Sequence, residues 1–351
     1  MRFYDALQLG PEAIKAKMAD CDKKGKRRWT LVMLVRVLLL VGFATAFVSA
    51  LTALFGAENS CIAVVILCIL LSVRFVDFRY DVRHSLASLG IVFALLLFSP
   101  LVMQVVPPLL GFAINFLSIL LICILTCEQP KMGYGGLFLF GYVFLSGNIV
   151  TGTAFLSRAM LTLTGFVICG VIFYVKHRHK SKNVPVAGVF QKFSLHRAKS
   201  RWQLQVALGV SALFLLNAFL QFDRFIWAGF ACASLLTSYP VNIKERLPGR
   251  IVGVILGSLA FGAVYLLLPA DLHFILGPLS GICLGFCASY RFKTFFNCFG
   301  GLSLAVAIYG VGGSVVLRIC NNLVGILFGT LFFFAFNKIF EHFARKEKVL
   351  A

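Results

Sequence analysis

Four arginines stand seven residues ahead of a glycine, each near the start of a long apolar run: Arg83 before Gly90, Arg158 before Gly165, Arg250 before Gly257 and Arg318 before Gly325. Seven residues are almost two turns of α-helix, so each guanidinium shares a face with its glycine. A guanidinium is always charged and offers five N–H donors in a planar fork, a shape that suits carboxylate and phosphate. A glycine face lets a second backbone come close, which turns the charge toward protein rather than lipid. Asn321, beside Asn322 just after Arg318, adds amide donors. Arg83, Arg158, Arg250, Arg318 and Asn321 are therefore candidates to line the path of an anion. Arg36 and Arg224 lack the paired glycine and read as arginines that snorkel to lipid phosphate.

The acidic residues, among them Glu58, Asp77, Asp81, Glu128, Asp223, Glu245 and Asp271, fall at span ends or in loops. A path of arginine and amide without a carboxylate suits anions leaving an inside-negative cell, a potential worth about 2.3 kcal/mol per charge per 100 mV. Proton coupling would have to use His84 or a carboxylate at the rim. No paired acid motif, phosphate loop, nucleophile elbow or metal spacing occurs within a span, so neither an enzyme nor a cofactor is expected. Cys123 with Cys127, and Cys283 with Cys287, are four apart but have no His or acid beside them, and they read as packing residues.

The elements that would position these groups are membrane spans. With 60% hydrophobic and 13% charged residues in 351, the chain departs far from a soluble composition. The net charge of +20 lies in short gaps between apolar runs rather than in a polar domain, which excludes nucleic acid and reports topology. The stretch from Arg246 to Leu268, RLPGRIVGVILGSLAFGAVYLLL, shows the pattern best. Gly249, Gly253 and Gly257 recur every fourth residue and form a packing face, as Gly90, Gly165 and Gly325 do in the other copies. Apolar runs occur near 30–54, 61–76, 84–106, 109–127, 134–147 and 152–175, then near 203–221, 226–239, 250–268, 273–289, 294–310 and 314–337. The expected fold is an all-α integral membrane protein of about 12 transmembrane helices.

The halves can be laid on each other. Arg28 and Trp29 match Arg201 and Trp202, Arg83 matches Arg250, Pro108 matches Pro269, the cysteine pairs match, and Arg158 matches Arg318. This implies two parallel six-helix repeats, at 29–176 and 201–338, joined by a basic linker at 177–200. The Arg-to-Gly spacing in the third and sixth spans of each half hints at an inverted three-plus-three repeat within it. All Lys and Arg except Arg36, Arg158, Arg224 and Arg318 fall on one side when the amino terminus is inside, so the positive-inside rule makes both termini cytoplasmic. Residues 1–28, basic and amphipathic around Pro11 to Met18, should lie on the anionic headgroups of the cytoplasmic face, and 339–351 is a cytoplasmic tail. His177, Arg178, His179 and Lys180 read as a solvated or headgroup-facing loop.

RLPGRIVGVILGSLAFG and LRICNNLVGILFGTLFF resemble the paired Arg and Gly signatures of the fusaric acid resistance, or aromatic acid exporter, family, which is related to the aluminium-activated malate channels of plants. In the second half Arg250, Gly253, Gly257, Arg318 and Gly325 carry the resemblance. The first half keeps Arg83, Gly90, Arg158 and Gly165 without the denser glycines. The resemblance implies a plasma-membrane exporter of aromatic or other carboxylates, with its path between the halves. Many members also carry a sizeable cytoplasmic domain, which is not among these residues. The rival readings are a passive anion channel of the malate-channel type and a membrane scaffold subunit that transports nothing.

Overall fold

A computed structural model describes residues 2–130, 134–239 and 243–350, with only the backbone described at Tyr134 and 342–350. Met1, 131–133, 240–242 and Ala351, which include the first residue of the expected 1–28 segment and the last of the tail, lie outside the described residues. All extended regular structure among the described residues is helical, and the protein is an all-α, multi-pass membrane protein. Two short helices, α1 (Phe3–Leu7) and α2 (Pro11–Ala19), precede α3 (Lys23–Phe55). Then come α4 (Ser60–Val73), α5 (Val82–Val102), α6 (Pro108–Thr126), α7 (Tyr134–Ser146) and α8 (Gly152–His177). The linker holds α9 (Ala187–Gln191), and α10 (Ala198–Leu220), α11 (Ile226–Leu236), α12 (Ile243–Leu267), α13 (Leu276–Phe286) and α14 (Tyr290–Leu350) complete the chain.

The helices are amphipathic in the sense a bilayer requires. On α8, Leu156, Met160, Leu163, Val167, Val171 and Tyr174 form an exposed stripe at helical spacing. The opposite face buries Arg158, Thr162, Gly165, Cys169, Phe173 and His177. Apolar side chains outside and small or polar ones inside reverse the soluble pattern, because lipid rather than water is the solvent. Seven helices are long and apolar enough to cross the membrane, whereas α4, α7, α11 and the segment Ala270–Phe286 are shorter. Eleven residues of α11 rise about 17 Å, well below a hydrocarbon core of about 30 Å. Such a helix is spared exposure to lipid when protein surrounds it, and α11 buries Ile226, Trp227, Ala228, Gly229, Ala231, Cys232, Ala233, Leu235 and Leu236.

The described chain divides into two compact units that cut across the sequence halves: residues 48–243 with 323–351, and residues 1–47 with 244–322. In the first of these, α8 runs parallel to α4. The Cys169 thiol and His177 Nε2 meet the carbonyls of Ile66 and Val73, at 3.9 and 2.8 Å. His177 is 3% exposed, which corrects the solvated-loop expectation for that residue; Arg178, His179 and Lys180 are exposed. The reason is that α8 extends to 177, and position 177 shares the inner face with Phe173, whose ring lies 4.8 Å away. The linker is docked too, since the Asp81 amide donates to the Val184 carbonyl at 2.9 Å. The Asp81 carboxylate caps α5 by accepting from the Arg83 amide at 2.9 Å.

In the other unit α2 lays Ile14, fully buried, against Ala6, Val32 and Met33, with Phe286 beside them. Antiparallel to α3, α13 packs so closely that a Cβ on Gly285 would come 2.8 Å from Val37 Cγ1. Gly310 breaks α14 into two arms, with φ 66° and ψ 176°. The arms fold back on each other, because Arg318 of the second arm reaches the Asn297 carbonyl of the first and lies against Gly301. With that break and the four shorter helices, the seven long ones become twelve apolar helices among the described residues.

Substitution of Gly257 by Ala should be poorly tolerated, since the new Cβ would come 2.5 Å from the Phe295 carbonyl oxygen, a backbone atom that cannot swing away. The expected cost is about 3 kcal/mol, read as lost thermal stability and monodisperse yield. Gly42→Ala, on α3 with nothing within 4 Å, should match wild type. Equal yields of the two variants would refute the close packing. The Asp81 carboxyl is held below the ordinary carboxylate range, first by the Arg83 amide. A lowered folded-state value contributes stability above the unfolded value and loses it as pH falls through the folded one. Protection of the Arg83 amide from hydrogen exchange, corrected for the intrinsic rate, should therefore fall below about pH 4, and Asp81→Asn should abolish that pH dependence.

Candidate functional site

The site is built by α12 and the two arms of α14. Facing residues fix how α12 meets the second arm: Arg250 lies opposite Asn322, and Gly262 lies opposite Val311 and Val315. The helices are thus antiparallel, which sets Ser258 level with Ser314 and Val254 level with Arg318. Along the first arm α12 runs parallel, with Gly253 against Arg291 and Thr294, Gly257 against Phe295 and Phe261 against Phe299. The four-residue glycine spacing is what permits this approach: Cβ atoms at 253 and 257 would come 2.7 and 2.5 Å from carbonyl oxygens of that arm. Gly249 is looser, at 3.5 Å from the Tyr290 ring.

Between these helices lie two arginines. Arg250 and Arg318 are each 8% exposed and lie within electrostatic range of one another. Arg250 Nη2 donates to Asn322 Oδ1 at 3.0 Å, and Asn322 Nδ2 donates to the Arg318 carbonyl at 2.8 Å, so one amide is held by both residues. Asn321 is 4% exposed in the same turn. Arg250 Nε and the hydroxyls of Ser258 and Ser314 are buried without a hydrogen-bond partner. The acidic residues of this unit, Asp5, Glu12, Asp20, Asp22, Glu245 and Asp271, are all exposed. Two buried guanidiniums, an unpartnered Nε on Arg250 and exposed acids throughout their unit single this cluster out as the candidate site.

The other two arginines of the repeated spacing fare differently. Arg83 is exposed at the start of α5. Arg158 is 5% exposed and held by protein at each of its three nitrogens: Nε donates to Asn59 Oδ1 at 2.9 Å, Nη2 to the Glu58 carbonyl at 2.9 Å and Nη1 to the Asn148 carbonyl. Asn59 in turn donates to the carbonyls of Phe55 and Ala154. Arg158 therefore ties the starts of α4 and α8 to the end of α7. The paired glycines sit on close contacts: a Cβ on Gly165 would come 2.5 Å from Ile66, one on Gly90 3.4 Å from Phe166, and one on Gly325 would overlap the Ala228 carbonyl. The structure thus brings together Arg250, Arg318 and the asparagines, and sets Arg83 and Arg158 elsewhere. Sequence reasoning missed Ser258 and Ser314, although each falls on an arginine's face, eight residues after Arg250 and four before Arg318. Nothing in the sequence marked Asn59 as a partner of Arg158, because 99 residues separate them.

Residues 208–332 match the model of the fusaric acid resistance protein-like family. No curated protein and no solved structure matches the chain. The matched segment contains the whole of α12 and the site residues Arg250, Ser258, Ser314, Arg318, Asn321 and Asn322.

Arg158→Gln should destabilise rather than merely discharge, because Asn59 and two backbone carbonyls lose their donor. We expect a loss of about 2–4 kcal/mol, measured as thermal unfolding of purified protein. Asn59→Ala should reproduce part of it. A variant of wild-type stability would show that the three hydrogen bonds are replaceable by water.

Proposed function

Taking as premise the match of residues 208–332 to the fusaric acid resistance protein-like family, we propose that the protein is a plasma-membrane exporter of organic anions, carboxylates above all. The observation that carries this reading is the pair of buried guanidiniums at Arg250 and Arg318, joined through Asn322 in a unit whose acids are all exposed. An arginine at the centre of a membrane helix costs about 2.5–3.5 kcal/mol on insertion scales, so two of them invite a counter-ion. A carboxylate would supply it. Arg250 Nε can donate to one oxygen, while Ser258 and Ser314, level with each other on facing helices, add neutral donors.

Neutral donors and permanent cations bind an anion without changing protonation state, so the site itself needs no proton. With both termini cytoplasmic, as the basic loops argue, the inside-negative potential favours outward movement of a bound anion. Release requires that binding be modest, and the mutual repulsion of the two arginines matters only when the anion has left. The first arm of α14 ends at the glycine hinge, Gly310, which gives the cluster one wall that can pivot.

The test is flux from liposomes loaded with benzoate or malate. Arg250→Gln and Arg318→Gln should each lower anion flux at least about tenfold at equal folded protein, because each removes a charge from a poorly hydrated site while keeping polar bulk. Arg224→Gln, outside the repeated spacing, should be nearly silent. If all three alter flux alike, the arginines contribute only surface potential. If none does, the anion does not use this cluster.

A further inference from the structure

A second feature of the same unit lies where α2 meets the turn between α13 and α14. A cavity of about 420 Å³ opens there, lined by Lys15, Cys283, Phe286, Cys287, Phe292 and Phe296. Its walls are phenyl rings, thiols and the Ala288 methyl, while Lys15 and Ser289 supply the polar groups. The cavity sits where apolar helix gives way to Arg291 and Lys293, the depth at which hydrocarbon meets headgroup. Its mouth faces lipid rather than water. Phe292 is 58% exposed, and Leu279, one turn before Cys283 on α13, is 48% exposed. Residues 279, 283, 286 and 287 share one helical face, so an apolar strip runs from the lipid-exposed surface to the cavity wall. Charge decides which lipid fits. Lys15 and Lys293 both lie within electrostatic reach of the Cys287 thiol. Lys293 is matched, with Nζ 3.0 Å from Glu12 Oε1. Lys15 has no ion-pair or hydrogen-bond partner among the described residues and stands exposed. Seven cations face three acids between residues 11 and 28. A zwitterionic headgroup would carry its own cation into these surroundings, whereas a headgroup of net negative charge meets only attraction.

We propose that this cavity holds one anionic phospholipid, with an acyl chain against Phe292, Phe296 and Cys283 and the phosphate at Lys15 and Ser289. Ser289 Oγ accepts from the Phe292 amide at 3.4 Å, so its own proton can go to a phosphate oxygen. Ile14, fully buried beside Val32 and Met33, fixes α2 one residue from Lys15 and so holds that ammonium at the rim. A lipid in this position joins the surface helix α2 to the α13–α14 turn through apolar contact, as Glu12 and Lys293 join them through charge. The site goes beyond the export reading and does not depend on it.

The full chain would be placed in phosphatidylcholine nanodiscs with and without phosphatidylglycerol. N-ethylmaleimide labelling of Cys283, half-buried in the cavity wall, would be followed by peptide mass spectrometry. Phosphatidylglycerol should slow that labelling about fivefold, the weight of one cation near an anionic surface, and leave the exposed Cys320 unaffected. Native mass spectrometry should find one phosphatidylglycerol retained per chain. Lys15→Gln, at an exposed position, should fold normally, return Cys283 to its rate in phosphatidylcholine alone and retain no lipid. Ala288→Phe, which fills the slot, should also retain none. Lys17→Gln, on the same helix but over Trp29, should change neither measurement. Glycerol 3-phosphate, a phosphate headgroup without chains, should leave the labelling rate as it is. Equal labelling of wild type with and without phosphatidylglycerol would overturn the proposal, as would retention of the lipid by both Lys15→Gln and Ala288→Phe. Protection by glycerol 3-phosphate equal to that by phosphatidylglycerol would assign the rim to a free phosphate and overturn it equally.

Discussion

A guanidinium carried below the membrane surface must find hydrogen-bond acceptors there, and it cannot shed its charge as a lysine or histidine can. That constraint has two solutions in this protein. Around Arg158 the chain supplies everything: an asparagine side chain and two helix-end carbonyls converge on it, and the reward is three helices held in register. Around Arg250 and Arg318 a shared asparagine and the Asn297 carbonyl take part, and Arg250 Nε and the hydroxyls of Ser258 and Ser314 are buried without a hydrogen-bond partner. A completed arginine is a rivet.

The glycine faces follow from the same need. Bringing an arginine on one helix to a partner on the next requires backbones closer than side chains normally allow, and Gly253 and Gly257 provide that separation. No large polar side chain then has to reach across a gap in hydrocarbon. The short helices obey a related rule. A helix of eleven residues would force the bilayer to thin around it, and α11 escapes this by burying most of its length in protein. Longer helices such as α8 carry the lipid-facing stripe.

Much of this was legible in the sequence. The Arg-to-Gly spacing named inward faces at Arg158, Arg250 and Arg318, though not at the exposed Arg83, and the gap between the apolar runs near 294–310 and 314–337 marked the break at Gly310. Short apolar runs were readable as spans only because basic loops separated them. What was not legible was depth. Arg250 and Arg318 start their apolar runs from opposite faces of the membrane in the sequence reading, yet Arg250 sits two turns into α12 and Arg318 two turns past Gly310, and antiparallel packing brings them level. That meeting depends on where α12 begins, which shifts by a turn with residues 243–249. His177 was misjudged for a similar reason, since a helix end extended by one turn moves a residue from solvent to core. The compact units, which cut across the halves, rest on contacts that no local pattern encodes.

The matched positions of the two halves have also diverged in chemistry. In the first half some buried neutral groups satisfy one another: Ser99 with Ser118 at 2.9 Å, and Tyr142 with Asn115 at 2.8 Å. Closed networks of this kind add rigidity and have nothing left to offer a ligand. In the second half Arg250 Nε and the hydroxyls of Ser258 and Ser314 are buried without a hydrogen-bond partner. The Arg-to-Gly spacing, common to both, is accordingly a rule about packing. What stands opposite the arginine differs: Asn59 and helix-end carbonyls at Arg158, Asn322 and a second arginine at Arg250.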